Sequence, residues 1–215
     1  MSERGIFITF EGPEGSGKST QVKLLVEKLL EKGVDVVCVR EPGGTPTGEA
    51  IRGLLQHHAS GEPIAPTTEV LLFAASRAQL VSHRILPTLE AGTWVISDRF
   101  ADSTTAYQGY GRGFDVEAML DINSFAVQGL VPDYTFLLDL PVEEGLERIT
   151  RRSEITEKAL DRIESEAISF HQRVREGYLQ LAQRYKDRFT VVDALQEPEV
   201  MGASIWERVE GARVH

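Results

Sequence analysis

The chain has 215 residues, 41% of them hydrophobic, and this length favours one α/β domain spanning residues 1–215 over two small domains. Its net charge of −10 argues against a nucleic-acid partner, because the phosphate backbone needs an extended basic surface. No apolar run reaches the roughly 18 residues of a membrane-spanning helix, and residues 1–4 lack the layout of a signal peptide, so we expect a cytoplasmic protein that does not contact a membrane.

The chain opens with a predicted strand over Gly5–Phe10, followed by a glycine-rich loop and a helical pattern. This order is typical of the phosphate-binding P-loop, whose glycines let backbone N–H groups curl around a β-phosphate. The Lys18 ammonium would reach the β- and γ-phosphate oxygens, and the Ser19 hydroxyl would ligate Mg²⁺. We therefore predict a site for a nucleoside triphosphate. Its residues are Gly12, Pro13, Glu14, Gly15, Ser16, Gly17, Lys18 and Ser19.

Further along the chain, apolar runs alternate with helical patterns. The runs predict more strands, at Val34–Val39, Trp94–Ser97, Tyr134–Leu138 and Phe189–Val192. Helices are predicted from the P-loop to Gly33, from Thr67 through Ile85 with Pro87 and Gly92 closing it, and over Val116–Leu130, Val142–Arg152, Ala159–Arg184 and the residues after Pro198. The alternation predicts an α/β fold with a parallel sheet covered by helices on both faces. Cys38, inside the second strand, should be a small buried hydrophobe.

Ligands of parallel sheets bind beyond the carboxyl ends of the strands, so the residues that follow each strand are candidates for a site. Arg40–Thr45 follows the second strand, with Arg52 nearby, and this segment is either a Pro-Gly turn with solvated charges or part of such a site. Asp98 follows the third strand and would hold a hydrated Mg²⁺ beside Ser19. Arg99 would bind a phosphate through two hydrogen bonds. The alternative for Asp98 and Arg99 is a surface ion pair.

Phe73 and Arg77 are four residues apart on the long predicted helix and therefore share a face. An aromatic ring with a guanidinium donor suits a nucleobase, since the ring stacks while the arginine donates to a carbonyl; a core phenylalanine is the alternative. Short polar groups and a second ring follow Asp98-Arg99 and would complete the pocket, although each alone fits a helix cap or the surface. They are Ser103, Thr104, Tyr107 and Gln108.

Several arginines flank the polar segment Ser153–Leu160, which lies between two predicted helices. A solvated helix face, with ion pairs to Glu144 and Glu147, is one explanation. The other is a mobile lid over about residues 148–162 that carries arginines onto a transferring phosphate. The arginines are Arg148, Arg151, Arg152 and Arg162.

Taken together, these motifs resemble those of the thymidylate kinase family, P-loop enzymes that convert dTMP to dTDP with ATP. The family implies a P-loop NTPase fold with a five-stranded parallel core, ATP and Mg²⁺ at the P-loop, a closing lid, and a homodimer packed partly through the helix of Phe73 and Arg77. The resemblance runs from Gly5 to about Tyr185 and rests on Phe10–Gly12, Arg40–Thr45, Leu71–Arg77, Asp98-Arg99 and Ala106–Gly109.

The family pattern also implies roles for single residues. Phe73 would stack on thymine, and Arg77 would donate to its O4 edge. Tyr107 would pack near C2′ of the sugar, and Glu14 would approach the 3′-OH. The remaining substrate residues would be Arg52 and Arg99 at the dTMP phosphate and Ser103, Thr104 and Gln108 around the base.

Some members of the family carry a P-loop arginine where this chain has Gly15, and members without it supply the arginine from the lid. The chain resembles the second, bacterial kind, with Arg151 and Arg162 as the preferred lid arginines. Bacterial relatives have a shorter and more arginine-dense lid, whereas Ser153–Lys158 intervenes here before Asp161–Glu164. The catalytic cations implied are Lys18, Arg99, Arg151 and Arg162.

The expected nucleophile is an oxygen of the acceptor phosphate, which is largely dianionic near pH 7 and needs no general base. Three other functions share part of the pattern. Another nucleoside monophosphate kinase would differ only in the base pocket, and a deoxynucleoside kinase would need a carboxylate base, for which Glu41 is a candidate. A P-loop switch or partition ATPase usually carries an extra lysine early in the loop, where this chain has Pro13 and Glu14.

Overall fold

The computed structural model describes residues 4–57, 62–157 and 159–211, and a sheet of five parallel strands lies at its centre. The strands are β1 (Phe7–Glu11), β2 (Val36–Arg40), β3 (Trp94–Asp98), β4 (Tyr134–Asp139) and β5 (Phe189–Asp193). They lie in the order β2-β3-β1-β4-β5. Phe10 and Arg40 both pair with Asp98, so the residues that follow these strands emerge at one edge of the sheet. The predicted five-stranded parallel sheet is confirmed.

Helices connect consecutive strands, and π-helical stretches, Val81–Ile85 and Thr105–Gly111, interrupt two of the connections. No helix among the described residues combines the length and the apolar character that crossing a membrane requires. The α-helices are α1 (Lys18–Glu31), α2 (Pro46–His57), α3 (Pro66–Leu80), α4 (Leu86–Glu90), α5 (Ala101–Thr104), α6 (Val116–Val127), α7 (Val142–Thr156), α8 (Ile168–Arg184) and α9 (Pro198–Glu210).

Apolar side chains cover both faces of the sheet, because successive residues of a strand point to opposite sides. Ile8 packs with Leu25 of α1 and Ile205 of α9 on one face. Phe7, its neighbour in β1, packs on the other face with Leu80 of α3, and α6 and α8 extend that layer. The prediction of helices on both faces is confirmed.

The strand predicted over Val34–Val39 begins at Val36 and is only partly buried. It forms the edge of the sheet, paired with β3 on its inner side. The prediction that Cys38 is buried is wrong, since the residue is exposed. An edge strand is covered less completely than a central one, and an apolar run in the sequence does not distinguish the two positions.

The segment predicted as a polar lid between two helices is partly helical. α7 continues to Thr156, so Ser153 and its neighbours extend this helix instead of leaving it. The polar composition reflects exposure of the helix to solvent, since most residues from Arg151 to Glu157 are exposed. Lys158, within the predicted lid, lies outside the described residues.

The helix predicted over Ala159–Arg184 is wrong at its start, because α8 begins at Ile168. The residues before it form turns organised by Asp161, whose carboxylate accepts hydrogen bonds from the backbone N–H groups of Ile163 and Glu164 at 2.9 Å each. Such local bonds from a side chain to the backbone compete with continuation of a helix.

The long helix that begins near Thr67 does not close at Pro87. The chain passes from α3 through the π-helical stretch Val81–Ile85 into α4, which ends at Glu90. Pro87 lies in the first turn of α4, where a residue without an N–H group is tolerated.

The sequence analysis did not predict α2 or the π-helix Thr105–Gly111. α2 does carry a recognisable signal, with Pro46 at its first position and apolar residues at helical spacing, Ile51, Leu54 and Leu55. The π-helix has no such signal, because its register depends on the packing around it.

Candidate active site

A cavity of about 500 Å³ lies at the carboxyl edge of the sheet, where the residues that follow β1, β2 and β3 converge. The predicted site residues that line it are Glu14, Gly15, Ser16, Gly17, Lys18, Ser19, Arg52, Phe73, Asp98, Arg99, Ser103, Thr104, Tyr107 and Gln108. Those outside its lining are Gly12, Pro13, Arg77, Arg151 and Arg162.

The Lys18 side chain is buried against the P-loop at the start of α1. Its ammonium donates hydrogen bonds to the carbonyl oxygens of Gly12 (3.0 Å) and Pro13 (2.8 Å) and to Ser16 Oγ (3.2 Å). Burial, together with the nearby Arg99 charge, lowers the Lys18 pKa to about 8. A phosphate anion would compensate this buried cation better than neutral oxygens do.

Ser19 and Asp98 connect the start of α1 to the end of β3. The Ser19 hydroxyl donates to Asp98 Oδ2 over 2.6 Å. A hydroxyl and a carboxylate beside the P-loop fit Mg²⁺, which prefers oxygen ligands and takes most of them from water and substrate phosphates. Within the described ranges no group of three or more His, Cys, Asp or Glu side chains could hold a metal ion, so phosphate and water would have to complete such a site.

Arg99 follows β3 with a φ of 70°, a left-handed conformation that is uncommon outside glycine. Its Nη2 donates to both oxygens of the Glu14 carboxylate, at 2.9 Å each. Burial by itself would raise the Glu14 pKa, but the charges of Arg99 and Lys18 and a hydrogen bond from Tyr107 lower it to about 2. A P-loop carboxylate therefore neutralises the arginine that the sequence predicts at the acceptor phosphate.

Glu11, at the end of β1, is a buried carboxylate that the sequence analysis did not single out. It accepts hydrogen bonds from the Phe100 N–H (2.8 Å), the Ser103 hydroxyl (2.6 Å) and the Tyr178 hydroxyl (2.9 Å). Burial and then the charge of Asp102 raise its pKa to about 7. These bonds hold the turn after β3. The only sequence signal was an ionisable residue at the end of an otherwise apolar strand.

Gly15 packs tightly against α7. Its φ is 72°, and a Cβ built on it would approach the carbonyl oxygen of Gly145 to 2.6 Å. A larger residue at this position, including an arginine, would need a different loop conformation or a displaced α7.

Phe73 and Gln108 line the cavity from α3 and from the π-helix Thr105–Gly111. Phe73 is partly buried. The side-chain amide of Gln108 donates through Nε2 to the Glu69 carboxylate over 2.8 Å. Ser103 and Thr104 complete this side of the cavity.

Tyr107 and Arg52 also line the cavity. The Tyr107 hydroxyl donates to Glu14 Oε1 over 2.6 Å, and its ring lies 4.9 Å from the Arg99 guanidinium. Arg52 extends from α2 and donates to the carbonyl of Pro42 at 2.9 Å. Burial, followed by the charge of Arg40, lowers the Arg52 pKa. The two arginines, Arg52 and Arg99, thus bring positive charge to one cavity.

Arg77 is placed differently from what the sequence predicts. Its side chain is 1% exposed, and Nη2 lies 2.7 Å from Glu41 Oε2. Nη1 donates to Asn123 Oδ1 at 2.8 Å, and Nη2 donates to Thr104 Oγ1 at 3.0 Å. These bonds and one from Nη2 to the Phe100 carbonyl use four of the five guanidinium N–H donors, so a base would have to bond to the second Nη1 N–H or replace a partner. The contact stays a prediction.

The preferred lid arginines also lie outside the cavity. Arg151 is exposed, and Arg162 forms an ion pair with Glu69. Arg148 and Arg152 line the cavity instead. The reason is that residues four apart on α7 share a face, so Arg148 and Arg152 point the same way while Arg151 is rotated from them. The sequence analysis named this pair in the cluster but did not place it in the site.

Half of the other cavity residues come from segments whose structure the sequence did not predict correctly. These segments are α2 and the turns before α8. Their side chains reach the cavity because of a conformation that the sequence did not predict. Beyond Arg148 and Arg152, the other lining residues are Thr20, Arg40, Glu41, Pro42, Leu55, Gln56, Ile149, Asp161, Ile163 and Glu164.

The chain is similar in sequence and in fold to known proteins. The family model described as "Thymidylate kinase" matches residues 10–205. The thymidylate kinase of Carboxydothermus hydrogenoformans is 50% identical over 204 residues, covering 95% of each chain. The thymidylate kinase of Halothermothrix orenii is 46% identical over 211 residues, covering 98% of this chain and 99% of the relative. The crystal structure of thymidylate kinase from Ehrlichia chaffeensis superposes with a TM-score of 0.77 at 33% identity, covering 96% of this chain and 99% of that one.

Proposed function

Because the chain belongs to the thymidylate kinase family, we propose that it transfers the γ-phosphoryl group of ATP to the phosphate of dTMP, releasing dTDP and ADP. One observation carries the proposal. A single cavity is lined both by the P-loop residues that suit a triphosphate and by Phe73, Tyr107 and Gln108, which suit a nucleoside. A donor and an acceptor can therefore meet in one cavity.

The acceptor would bind between α2, α3 and the π-helix. Phe73 stacks on thymine, and Ser103, Thr104 and Gln108 surround the base. Arg52 and Arg99 hold the acceptor phosphate. Their position in the same cavity supports this role, since a dianion needs more than one cation to balance it.

Glu14 would change partners when the acceptor binds. It is paired with Arg99 at 2.9 Å, and the acceptor phosphate competes for the same guanidinium. Once displaced, the carboxylate is free to accept a hydrogen bond from the 3′-OH of the sugar. Tyr107 bonds to Glu14 and lies close enough to the sugar to exclude a 2′-hydroxyl.

ATP would bind at the P-loop, with Ser19 and Asp98 holding Mg²⁺. The ion, when bound, neutralises phosphate charge and aligns the triphosphate. Lys18 contacts the β- and γ-phosphate oxygens, exchanging its three neutral acceptors for anionic ones. Arg99 draws the acceptor oxygen into line, and repulsion between the two phosphates is the barrier that these cations lower.

A lid arginine would supply the last positive charge. Sequence favours Arg151 and Arg162 for this role, but their placement outside the cavity leads us to propose Arg148 or Arg152 instead. The packing of Gly15 against α7 supports a lid source, because it leaves no room for a side chain at position 15. A closed lid also excludes water that would hydrolyse ATP.

A deoxynucleoside kinase is disfavoured by the state of Glu41. The acceptor hydroxyl of such an enzyme needs a free carboxylate base, whereas Glu41 forms a buried ion pair with Arg77 at 2.7 Å. An uncharged acceptor would also offer no phosphate to the cavity arginines Arg52 and Arg99.

The test is an assay of ADP release from ATP-Mg²⁺ with dTMP, dUMP, CMP, AMP and thymidine as separate acceptors. We expect dTMP to give the highest kcat/KM and thymidine to give no turnover. Higher kcat/KM with CMP or AMP would assign a different monophosphate kinase, and turnover with thymidine would assign a nucleoside kinase. ADP release without any acceptor would support an ATPase.

We further propose that the enzyme is a homodimer that works in the cytoplasm, where both nucleotides are dissolved. α3 and the adjacent α6 carry apolar side chains that face solvent, Leu71 (56% exposed) and Phe125 (89% exposed). Large apolar groups on two packed helices favour a contact surface over bulk solvent.

A further inference from the structure

Glu69 lies on α3 one helical turn before Phe73, and its side chain is 1% exposed. It is not among the residues that line the cavity. Three side chains from distant parts of the chain converge on its carboxylate: Gln108, Arg112 and Arg162. A buried carboxylate with this many partners fixes the positions of the side chains that bond to it.

The charge of Glu69 is fixed by two arginines. Arg112 donates through Nε to Oε1 at 2.8 Å and through Nη2 to Oε2 at 3.1 Å. Arg162, from the turn after the lid, forms a second ion pair with Oε2. Burial would raise the Glu69 pKa, but hydrogen bonds from Arg112 and Gln108 lower it. The carboxylate is therefore ionised and can only accept hydrogen bonds.

An acceptor-only neighbour dictates the orientation of the Gln108 amide. The atom of Gln108 that lies 2.8 Å from Glu69 Oε1 must be Nε2, because an oxygen there would repel the carboxylate. The amide oxygen is then the atom of the Gln108 amide that does not contact Glu69. Gln108 itself lines the cavity. A ligand that contacts the oxygen side of this amide meets an acceptor and not a donor.

Pyrimidine bases differ in whether their ring nitrogen N3 donates or accepts a hydrogen bond. Thymine and uracil carry an N3–H donor, whereas N3 of cytosine is an acceptor. An outward amide oxygen accepts a bond from the first two bases and repels the third. We propose, building on the proposed dTMP kinase activity, that Glu69 is a positioning residue that fixes the Gln108 amide and thereby selects acceptors whose base has a ring N–H over cytosine.

The test compares dUMP with dCMP, because these acceptors differ only at N3 and in the group on the adjacent C4, an oxygen in uracil and an amino group in cytosine. The measured quantity is the ratio of kcat/KM for dUMP to that for dCMP, with ATP-Mg²⁺ saturating. Glu69→Gln supplies a side chain that can donate as well as accept, so the Gln108 amide is free to turn. We expect the ratio to fall by roughly tenfold or more, the equivalent of one net hydrogen bond.

Gln108→Leu tests the orientation independently and keeps the proposal testable if Glu69→Gln does not fold. Removing the amide oxygen should lower kcat/KM for dUMP by roughly tenfold and leave that for dCMP unchanged or raised. In the double variant, the Glu69 substitution should change the ratio no further.

Glu166→Gln is the matched control. Glu166 pairs with Arg112 at 2.8 Å, within the same ionic cluster but without a contact to Gln108 among the described residues. It should leave the ratio unchanged. An equal fall with Glu166→Gln, no change with Glu69→Gln, or a selective loss of dCMP turnover with Gln108→Leu would overturn the inference.

The two proposals fail in different ways. A wild-type chain that does not phosphorylate dTMP overturns the proposed function. A wild-type chain that phosphorylates dTMP but turns over dCMP as well as dUMP overturns only the role of Glu69.

Discussion

At the scale of single residues, the pair of Glu14 and Arg99 controls the charge of the cavity. Arg99 Nη2 donates to both Glu14 oxygens and the pair lies beside Lys18, so three ionised groups share a small buried volume. This arrangement keeps the cations oriented without an anionic ligand and leaves one carboxylate to be displaced by a phosphate. Sequence reasoning recognised each residue but not their mutual contact.

The Glu14 pair makes stability depend on pH in a defined direction. Its folded-state pKa of about 2 lies below the ordinary 4.5, so the carboxylate contributes stability above about pH 4.5 and loses it as the pH falls towards 2. The shift corresponds to about 3 kcal/mol. The free energy of unfolding of wild type and Glu14→Gln, measured by urea titration from about pH 6 to about pH 3, should therefore converge at low pH. A constant difference would contradict the pair. Glu117→Gln, at an exposed ion pair with Arg184, is the control.

The Phe73 ring should determine acceptor affinity. Stacking between a base and an aromatic ring is worth roughly 1–3 kcal/mol, so Phe73→Ala should raise KM for dTMP by one to two decades and leave KM for ATP nearly unchanged. Phe73→Leu keeps much of the side-chain volume without the aromatic face and should show most of the same loss. If KM for both substrates rises together, Phe73 supports the fold and not the ligand.

At the scale of elements, α7 connects the P-loop to the lid. Its start packs against Gly15 through Gly145, and its later turns present Arg148 and Arg152 to the cavity. One rigid element therefore touches the triphosphate loop and carries candidate cations. The helical continuation to Thr156 fixes which arginines face inward, because side-chain direction follows from the helical repeat.

Single alanine variants of the four lid arginines should separate their roles. A cation that meets the transferring phosphate mainly in the transition state affects kcat far more than KM. We expect Arg148→Ala or Arg152→Ala to lower kcat by about two decades or more with near-normal KM for dTMP. Lysine should rescue poorly, because an ammonium cannot bridge two phosphate oxygens in a planar fork.

Arg151→Ala and Arg162→Ala are the comparison in this series. A selective loss of kcat in either of them, with Arg148 and Arg152 variants normal, would return the catalytic role to the arginines that the sequence favours. Normal turnover of all four variants would exclude a lid arginine altogether.

At the scale of the whole molecule, the apolar surface on α3 and α6 should hold two copies together. Phe125→Glu or Leu71→Glu places a charge in that surface and should shift the mass measured by light scattering from dimer to monomer. Val200→Glu changes an apolar position on α9, at the other face of the sheet, that is 54% exposed and so matches Leu71; it should leave the mass unchanged. A monomeric wild-type chain would contradict the dimer proposal directly.

Some features of the fold were predicted correctly from the sequence and others were not. The P-loop, the five strands and the helices on both faces were predicted, because strand and helix periodicities and a glycine loop are local patterns. The errors concern Cys38, Pro87 and the start of α8. The physical reasons are the edge position of β2, the π-helical stretch before α4, and the local hydrogen bonds from the backbone to the Asp161 carboxylate, none of which apolar spacing registers.

The sequence by itself determined the family, the order of the elements and the side chains that follow each strand, since glycine geometry and apolar spacing are encoded within a few residues. The tertiary structure alone decided that Arg77 is enclosed by Glu41 and Asn123, and that Arg162 pairs with Glu69 while Arg148 faces the cavity. The partners in these contacts are 36 or more residues apart in the chain. The pairing of charged side chains depends on how whole helices pack against each other. The local spacing of residues carries no information about this packing.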